Sequence, residues 1–533
     1  MPAPFENMAI SLSGGGYRAA SFHLGALSYL DHVPHEGVSL LQRIKIISTI
    51  SGGTFTGVAY VLSLARQQEF KACFQHLYGL LQEDKLVVEA LAKINHTGQW
   101  QYPTKNKNLI NAFSEIYQAK FCNGAQMSLP LTAPLGHLDE FCFNATDMHN
   151  TLPFRFQKTG LIGNGHNNID VSAAAEIRMG DIMAASSCFP GGFEPMAFPQ
   201  DFIAEEGSPL QQYWKSQGYP DNIPLMDGGI LDNQGIESVE LANRRRPDDQ
   251  KINTYIISDV TSRESPPFEF PAKPRPGLFG DFTYRTIVWI LAALVILGAA
   301  GTWYWWNASR LLLIVSVLAT VFSGISLVSL LLIHRFVDNM IAKTVGQNNE
   351  TPTILEDLDI LEKTPIHILK NLASIRLFAL SDILQNTFMR RIRTLEISGL
   401  YHDPDWTHKL VSNNIYSLTT NWDLDKNLPA PSEQMLKTAA LAETMATTLW
   451  FSTKDKEKGM LDALIAAGQI NLCFQLLLHL DQELGLPEVQ ATFTPETRQS
   501  LQQLREALLA DYNKFREDDR WLLNQLKQGQ PAA

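Results

Sequence analysis

"ISLSGGGYRAASFHLGALSYL", residues 10–30, joins a short apolar run to a stretch with helical spacing through three consecutive glycines. Glycine is costly in regular structure, so the triplet marks a sharp turn whose bare N–H groups are open to close approach. Met8 to Ser13 reads as a strand and Ala19 to Leu30 as a helix. The same alternation continues with Ile44 to Ile50 as a strand, Thr54 to Ala65 as a helix and Ile252 to Asp259 as a further strand. Strands alternating with helices predict an α/β sheet.

The glycine turn fits neither G-x-G-x-x-G nor G-x-x-x-x-G-K-[ST], because no Lys–Ser/Thr pair follows it. What remains is a row of N–H groups at a helix N-terminus, suited to an anion or an oxyanion. An oxyanion implies a nucleophile. "IISTISGGTFTG" (46–57) supplies Ser51 at the next strand-to-helix junction, similar to the elbow G-x-S-x-G with Thr49 in place of the first glycine. A serine hydroxyl also needs a base, and "IPLMDGGILDNQGIES" (223–238) offers Asp227 directly after an apolar strand. Asp-Gly is equally a hairpin signal, so that stretch alone leaves both readings open.

The chain has 533 residues, enough for two or three structural units, and carries 43 Lys plus Arg against 55 Asp plus Glu. An acidic balance without a basic tract argues against a nucleic-acid partner. Cys73, Cys122, Cys142, Cys188 and Cys473 form no C-x-x-C pair, which is the usage of a reducing compartment. His35-Glu36 lacks the second histidine of H-E-x-x-H and no other ligand cluster stands out, so neither a catalytic metal nor a cofactor is expected.

Thr286 to Trp306 and Leu311 to Ile333 carry no charge. Each is long enough to cross a hydrocarbon core of roughly 30 Å as a helix. Together they predict a transmembrane hairpin, the alternative being a pair of buried core helices. Trp303 to Trp306 form an aromatic cluster beside the short link Asn307 to Arg310. Lys273, Arg275, Arg285, Arg335 and Lys343 flank the outer ends, so the positive-inside rule predicts that both termini and the large N-terminal part are cytoplasmic. The expected organisation is a catalytic core over 1–264, a Pro-rich linker over 265–285, the hairpin over 286–333 and a mostly helical part over 350–533. Within that last part, a long amphipathic helix starts at Thr364–Pro365 and stops at Gly399, Asn414 to Leu418 reads as a strand, and Ser432 to Phe451, Gly459 to Leu480 and Thr494 to Leu526 read as helices.

Taken together, S-G-G-G-Y-R-A at 13–19, T-I-S-G-G at 49–53, the Ala/Ser-rich "MAASSCFPGGFEP" at 183–195 and D-G-G at 227–229 resemble the patatin-like phospholipase family, including its cytosolic phospholipase A2 and lysophospholipase branch. The resemblance covers residues 8–260 and extends more weakly over 350–480. It implies a three-layer α/β/α core and a Ser-Asp dyad without histidine. Ser51 would be the nucleophile, Asp227 the base, and Gly14, Gly15 and Gly16 the oxyanion hole. Arg18 would hold the substrate phosphate or support the oxyanion loop. The implied activity is hydrolysis of carboxylic esters of phospholipids or lysophospholipids at a bilayer. Two alternatives remain open: a Ser-Asp-His esterase using His402 or His408, and a non-catalytic membrane scaffold on a degenerate patatin fold, which the departure at Thr49 permits.

Overall fold

Strand β1 (Met8–Leu12) is buried along its whole length and sends its side chains alternately to two cores, as a strand covered on both faces must. Met8, Ile10 and Leu12 enter the larger core, whereas Ala9 enters a smaller one. The computed structural model describes residues 3–83, 85–95, 100–263, 281–346, 363–423 and 428–528. It divides into two units, Met1–Ser265 with Asn386–Ala533, and Pro266–Gln385.

In the first unit β1 leads into α1 (Gly16–His32), then β2 (Ile44–Ile50) and α2 (Gly52–Ala65). These are followed by β3 (Glu140–Asp147), β4 (Leu152–Gln157), α3 (Met179–Ser186), β5 (Ile223–Asp227), α4 (Ile236–Arg245) and β6 (Thr254–Asp259). The sheet runs β7-β6-β1-β2-β3-β4, where β7 (Leu410–Asn414) is contributed from far along the chain. Strands β7, β6, β1, β2 and β3 are parallel, and β4 and β5 pair antiparallel with β3. Ile236, Val239 and Ala242 of α4 pack with Leu400 against the Ala9, Ile46 and Ile257 face. The other face carries α1, α2 and the C-terminal helices α9 (Glu433–Glu443), α10 (Met460–Leu478) and α11 (Pro495–Glu517). The core is therefore mixed α/β with a central sheet and a helical C-terminal part. α1 crosses α10 closely: a Cβ on Gly25 would lie 2.1 Å from the Ile465 carbonyl oxygen, and one on Gly468 2.1 Å from that of Phe22.

Some boundaries differ from the sequence expectations. The last strand is Leu410–Asn414 and not Asn414 to Leu418, because the chain turns at Tyr416 into a short helix, Ser417–Asn421. Helix α8 (Met389–His402) runs past Gly399, since an exposed glycine loses some helical stability without ending a helix. Ser432 to Phe451 is helical only to Glu443, and Thr494 to Leu526 breaks at Asp518. Met460–Glu483 is as long and apolar as a membrane span, but its most apolar 18-residue stretch is buried within the protein.

The second unit contains α5 (Tyr284–Trp305), α6 (Arg310–Gly346) and α7 (Ile366–Asp382). Helices α5 and α6 pack as a hairpin, with Gly298 against Thr320 and Gly301 against Ser316. Trp289, Ile296, Leu297, Leu311 and Phe322 all point outward and are exposed, the reverse of a core helix. The expected Pro-rich segment Ser265 to Pro276, with Lys273 and Arg275, lies outside the described residues.

Candidate active site

Ser51 occupies the junction between β2 and α2 with φ +48° and ψ −117°, a conformation that a residue with a side chain adopts only under constraint. The constraint comes from close packing. A Cβ on Gly52 would sit 2.1 Å from the Gly16 carbonyl oxygen, and one on Gly53 2.3 Å from that of Leu12. The bare backbone of the elbow thus lets the starts of α1 and α2 meet at Ser51. Its N–H donates to Ser186 Oγ at 3.0 Å.

Thr49, the departure from the elbow pattern, has a place. Its hydroxyl is 2.9 Å from Thr54 Oγ1, which is 2.8 Å from Ser186 Oγ. The chain Thr49–Thr54–Ser186 therefore ends on the Ser51 backbone, and Gly57 leaves room for the Thr49 methyl.

Sheet register brings Asp227 to Ser51. Ile50 of β2 pairs with Asn144 of β3, and Asp227 of β5 pairs with the next residue, Ala145. The two strands approach the same edge of β3 from opposite directions and their C-terminal ends meet. The Ser51 side chain lies beside the Asp227 carboxylate, where its hydroxyl favours the ionised form. Gly229 N–H donates to Asp227 Oδ1 at 2.8 Å, and Asp227 N–H donates to the Cys188 carbonyl at 2.9 Å. Burial pushes the carboxyl from 3.8 up to about 6, with Ser51 and Gly229 pulling it back. A base near that value is largely ionised at neutral pH yet holds a proton far better than an ordinary aspartate.

The glycine turn lies beside this pair. Gly15 has φ +147° and Gly16 φ +60°, conformations open to glycine. Gly14 N–H already donates to the Asn233 carbonyl at 3.0 Å, which corrects the expectation that all three glycines are available. Among the described residues, Gly15 and Gly16 N–H have no acceptor. A buried chain anchors the turn from behind: Asn413 Nδ2 donates to Ser258 Oγ, His23 Nδ1 lies 3.0 Å from that hydroxyl, and His23 Nε2 lies 3.0 Å from the Ser13 carbonyl. Donation to a carbonyl places the proton on Nε2. Burial pushes His23 down to about 4, so it stays neutral.

Arg18 is bonded within the protein. Its guanidinium donates to the Met445 carbonyl at 2.9 Å, to Ser262 Oγ and to Thr447 Oγ1. It clamps the segment whose next residue, Thr448, accepts from Tyr17 N–H and abuts Gly16. His402 contacts the Ser398 carbonyl and His408 contacts Glu483, so neither is bonded to Asp227. Sequence reading did not single out Ser186, Asn233 or Thr448. Ser186 and Asn233 lie within the quoted motif stretches, but nothing local to Thr448 marks it.

Residues 10–239 match the family model described as patatin-like phospholipase. Among solved structures the chain is similar to human GIVD cytosolic phospholipase A2, at 15% identity over 48% of this chain and 45% of that one, with a TM-score of 0.30. It is also similar to VipD from Legionella pneumophila, at 10% identity over 100% of this chain and 89% of that one, with a TM-score of 0.24. The chain thus spans less than half the length of the human protein's chain. No curated protein sequence matches it.

Proposed function

Because residues 10–239 match the patatin-like phospholipase model, we propose that the chain is a membrane-anchored serine lipid acyl hydrolase acting on carboxylic esters of phospholipids or lysophospholipids. The observation that carries this reading is Ser51 in its positive-φ elbow, next to buried Asp227 and the Gly15 and Gly16 N–H groups. In the reaction, Asp227 takes the Ser51 hydroxyl proton as Oγ bonds to the ester carbonyl carbon. The carbonyl oxygen becomes an oxyanion beside Gly15 and Gly16. The tetrahedral intermediate collapses, the bond to the alcohol oxygen breaks, and Asp227 returns its proton to that leaving group. Water, deprotonated by Asp227, then attacks the acyl-enzyme carbonyl, and Ser51 leaves with the proton.

The assigned organisation is a catalytic core at 1–264, a linker at 265–285, a transmembrane hairpin at 286–333 and a C-terminal part at 350–533 that completes the core. The outward apolar side chains of α5 and α6 support spanning, and the flanking basic residues support a cytoplasmic catalytic unit and termini. The anchor holds the site at the leaflet that contains its substrate, raising effective concentration.

An alkyl fluorophosphonate should label the parent and leave Ser51→Ala unlabelled, with fatty-acid release from phospholipid lost in parallel. Labelling that persists in Ser51→Ala, or that disappears on replacing His402 or His408, overturns the dyad. An unlabelled parent favours the non-catalytic scaffold.

A further inference from the structure

Alongside β7, the last strand at one end of the described sheet, lies a cavity of about 570 Å³. That volume is within the range of small-ligand sites. Its walls include Tyr401 of α8, Ser412 and Asn414 of β7, and Gln475 and His479 at the end of α10, and they include neither Ser51 nor Asp227.

Two independent features set it apart from a packing gap. His479 is 4% exposed, yet among the described residues neither ring nitrogen has a hydrogen-bond partner, and Gln475 Nε2 is likewise buried and unpartnered. Burying such groups without partners is costly, so native structures normally satisfy them. In addition, the helix widens to π winding over His479–Glu483, a distortion concentrated at functional sites.

The lining defines the ligand class. It holds no Lys, Arg or Asp, and the Glu483 carboxylate is already engaged by His408 Nδ1 at 2.7 Å, so no cation is there to hold a phosphate or carboxylate group. The remaining polar side chains are amides and hydroxyls, including Asn414, Ser412 and Gln475. Burial pushes His479 down to about 4, so the neutral ring offers one N–H and one lone pair. An apolar ligand would strand these groups. Tyr401, 54% exposed, and Tyr416 add aromatic faces. Mixed donors and acceptors beside aromatic faces match a ring that carries hydroxyls on its edge and C–H groups on its faces. We propose that this cavity binds an uncharged polyhydroxylated ring, a sugar or cyclitol, either free or as the headgroup of a neutral glycolipid.

The test uses the full chain in a detergent without sugar groups. It is titrated calorimetrically with glucose, galactose, mannose, N-acetylglucosamine and myo-inositol, with inositol hexakisphosphate as the charged control. Phosphatidylcholine vesicles with and without galactosyl diacylglycerol form the second arm. At least one neutral ring should bind, with affinity reduced at least about tenfold in both His479→Phe and Tyr401→Ala and unchanged in Ser51→Ala. Tyr401 is exposed, so its variant reads the cavity without disturbing the core. Binding to the glycolipid vesicles alone assigns the headgroup source. The proposal is overturned if no neutral ring binds the parent at about 10 mM and the glycolipid adds nothing to vesicle binding. It is equally overturned if both variants bind like the parent, or if the charged control binds more tightly than every neutral ring.

Discussion

Replacing Asp227 with asparagine should abolish turnover and make the protein more stable at neutral pH. Burial raises the carboxyl from 3.8 to about 6, so the folded chain binds this proton more tightly than the unfolded chain does. A group raised in this way contributes its full stability below about pH 4 and loses it as pH climbs through about 6. The gap of roughly two pH units corresponds to about 3 kcal/mol, at about 1.4 kcal/mol per unit. The carboxamide of the Asp227→Asn variant cannot ionise, keeps an oxygen for Gly229 N–H, and so avoids this loss. The two proteins should unfold alike near pH 4, and the variant should gain progressively up to about pH 7, reaching at most about 3 kcal/mol and a few degrees in Tm. Turnover should fall about 10⁴-fold, because nucleophile and base act as one unit, and kcat/KM of the parent should rise through about pH 6. Thermal unfolding across pH 4–8, paired with release of fatty acid from a monomeric ester, reads both quantities. A variant that is less stable than its parent at pH 8, or that turns over as fast as its parent, refutes the assignment of Asp227 as a buried base.

The other predictions concern the surroundings of the proposed dyad and the hairpin. Gly16→Ala would bring a Cβ 2.2 Å from the Thr448 carbonyl oxygen at φ +60°, so it should lose about 1–3 kcal/mol of stability together with about 10²-fold in turnover. Unchanged unfolding would show that the turn is looser than described. Thr49→Gly completes the G-x-S-x-G pattern but cuts the hydroxyl chain to Ser186, so kcat should drop about tenfold with about 1 kcal/mol of stability; equal or higher kcat would mean that the chain positions nothing. Replacing Thr286 to Ile333 with a flexible linker should leave cleavage of monomeric esters intact and lower the rate on bilayer phospholipid, as paired assays would register. A truncated chain that matches the parent on bilayers would remove proximity as the role of the hairpin.

Much of this protein is decided locally. Three glycines before a helical run, a serine followed by two glycines, and charge-free stretches of more than 20 residues follow from backbone sterics and hydrophobic length, so their reading needs no fold. Long-range pairing decided the remainder. That Ser51 faces Asp227 depends on β2 and β5 meeting at Asn144 and Ala145 of β3, a register set by strands that no short segment encodes. The use of Gly14 N–H by Asn233, and the turning of Arg18 toward Met445 and Thr447, involve partners more than 200 and 400 residues away. The helix Met460–Leu478 and the two helices of the hairpin are all apolar in sequence, yet one is buried beneath α1 and two show their side chains outward. Apolar composition states that a helix must leave water. Whether it does so against protein or against lipid is set by what the rest of the chain packs beside it.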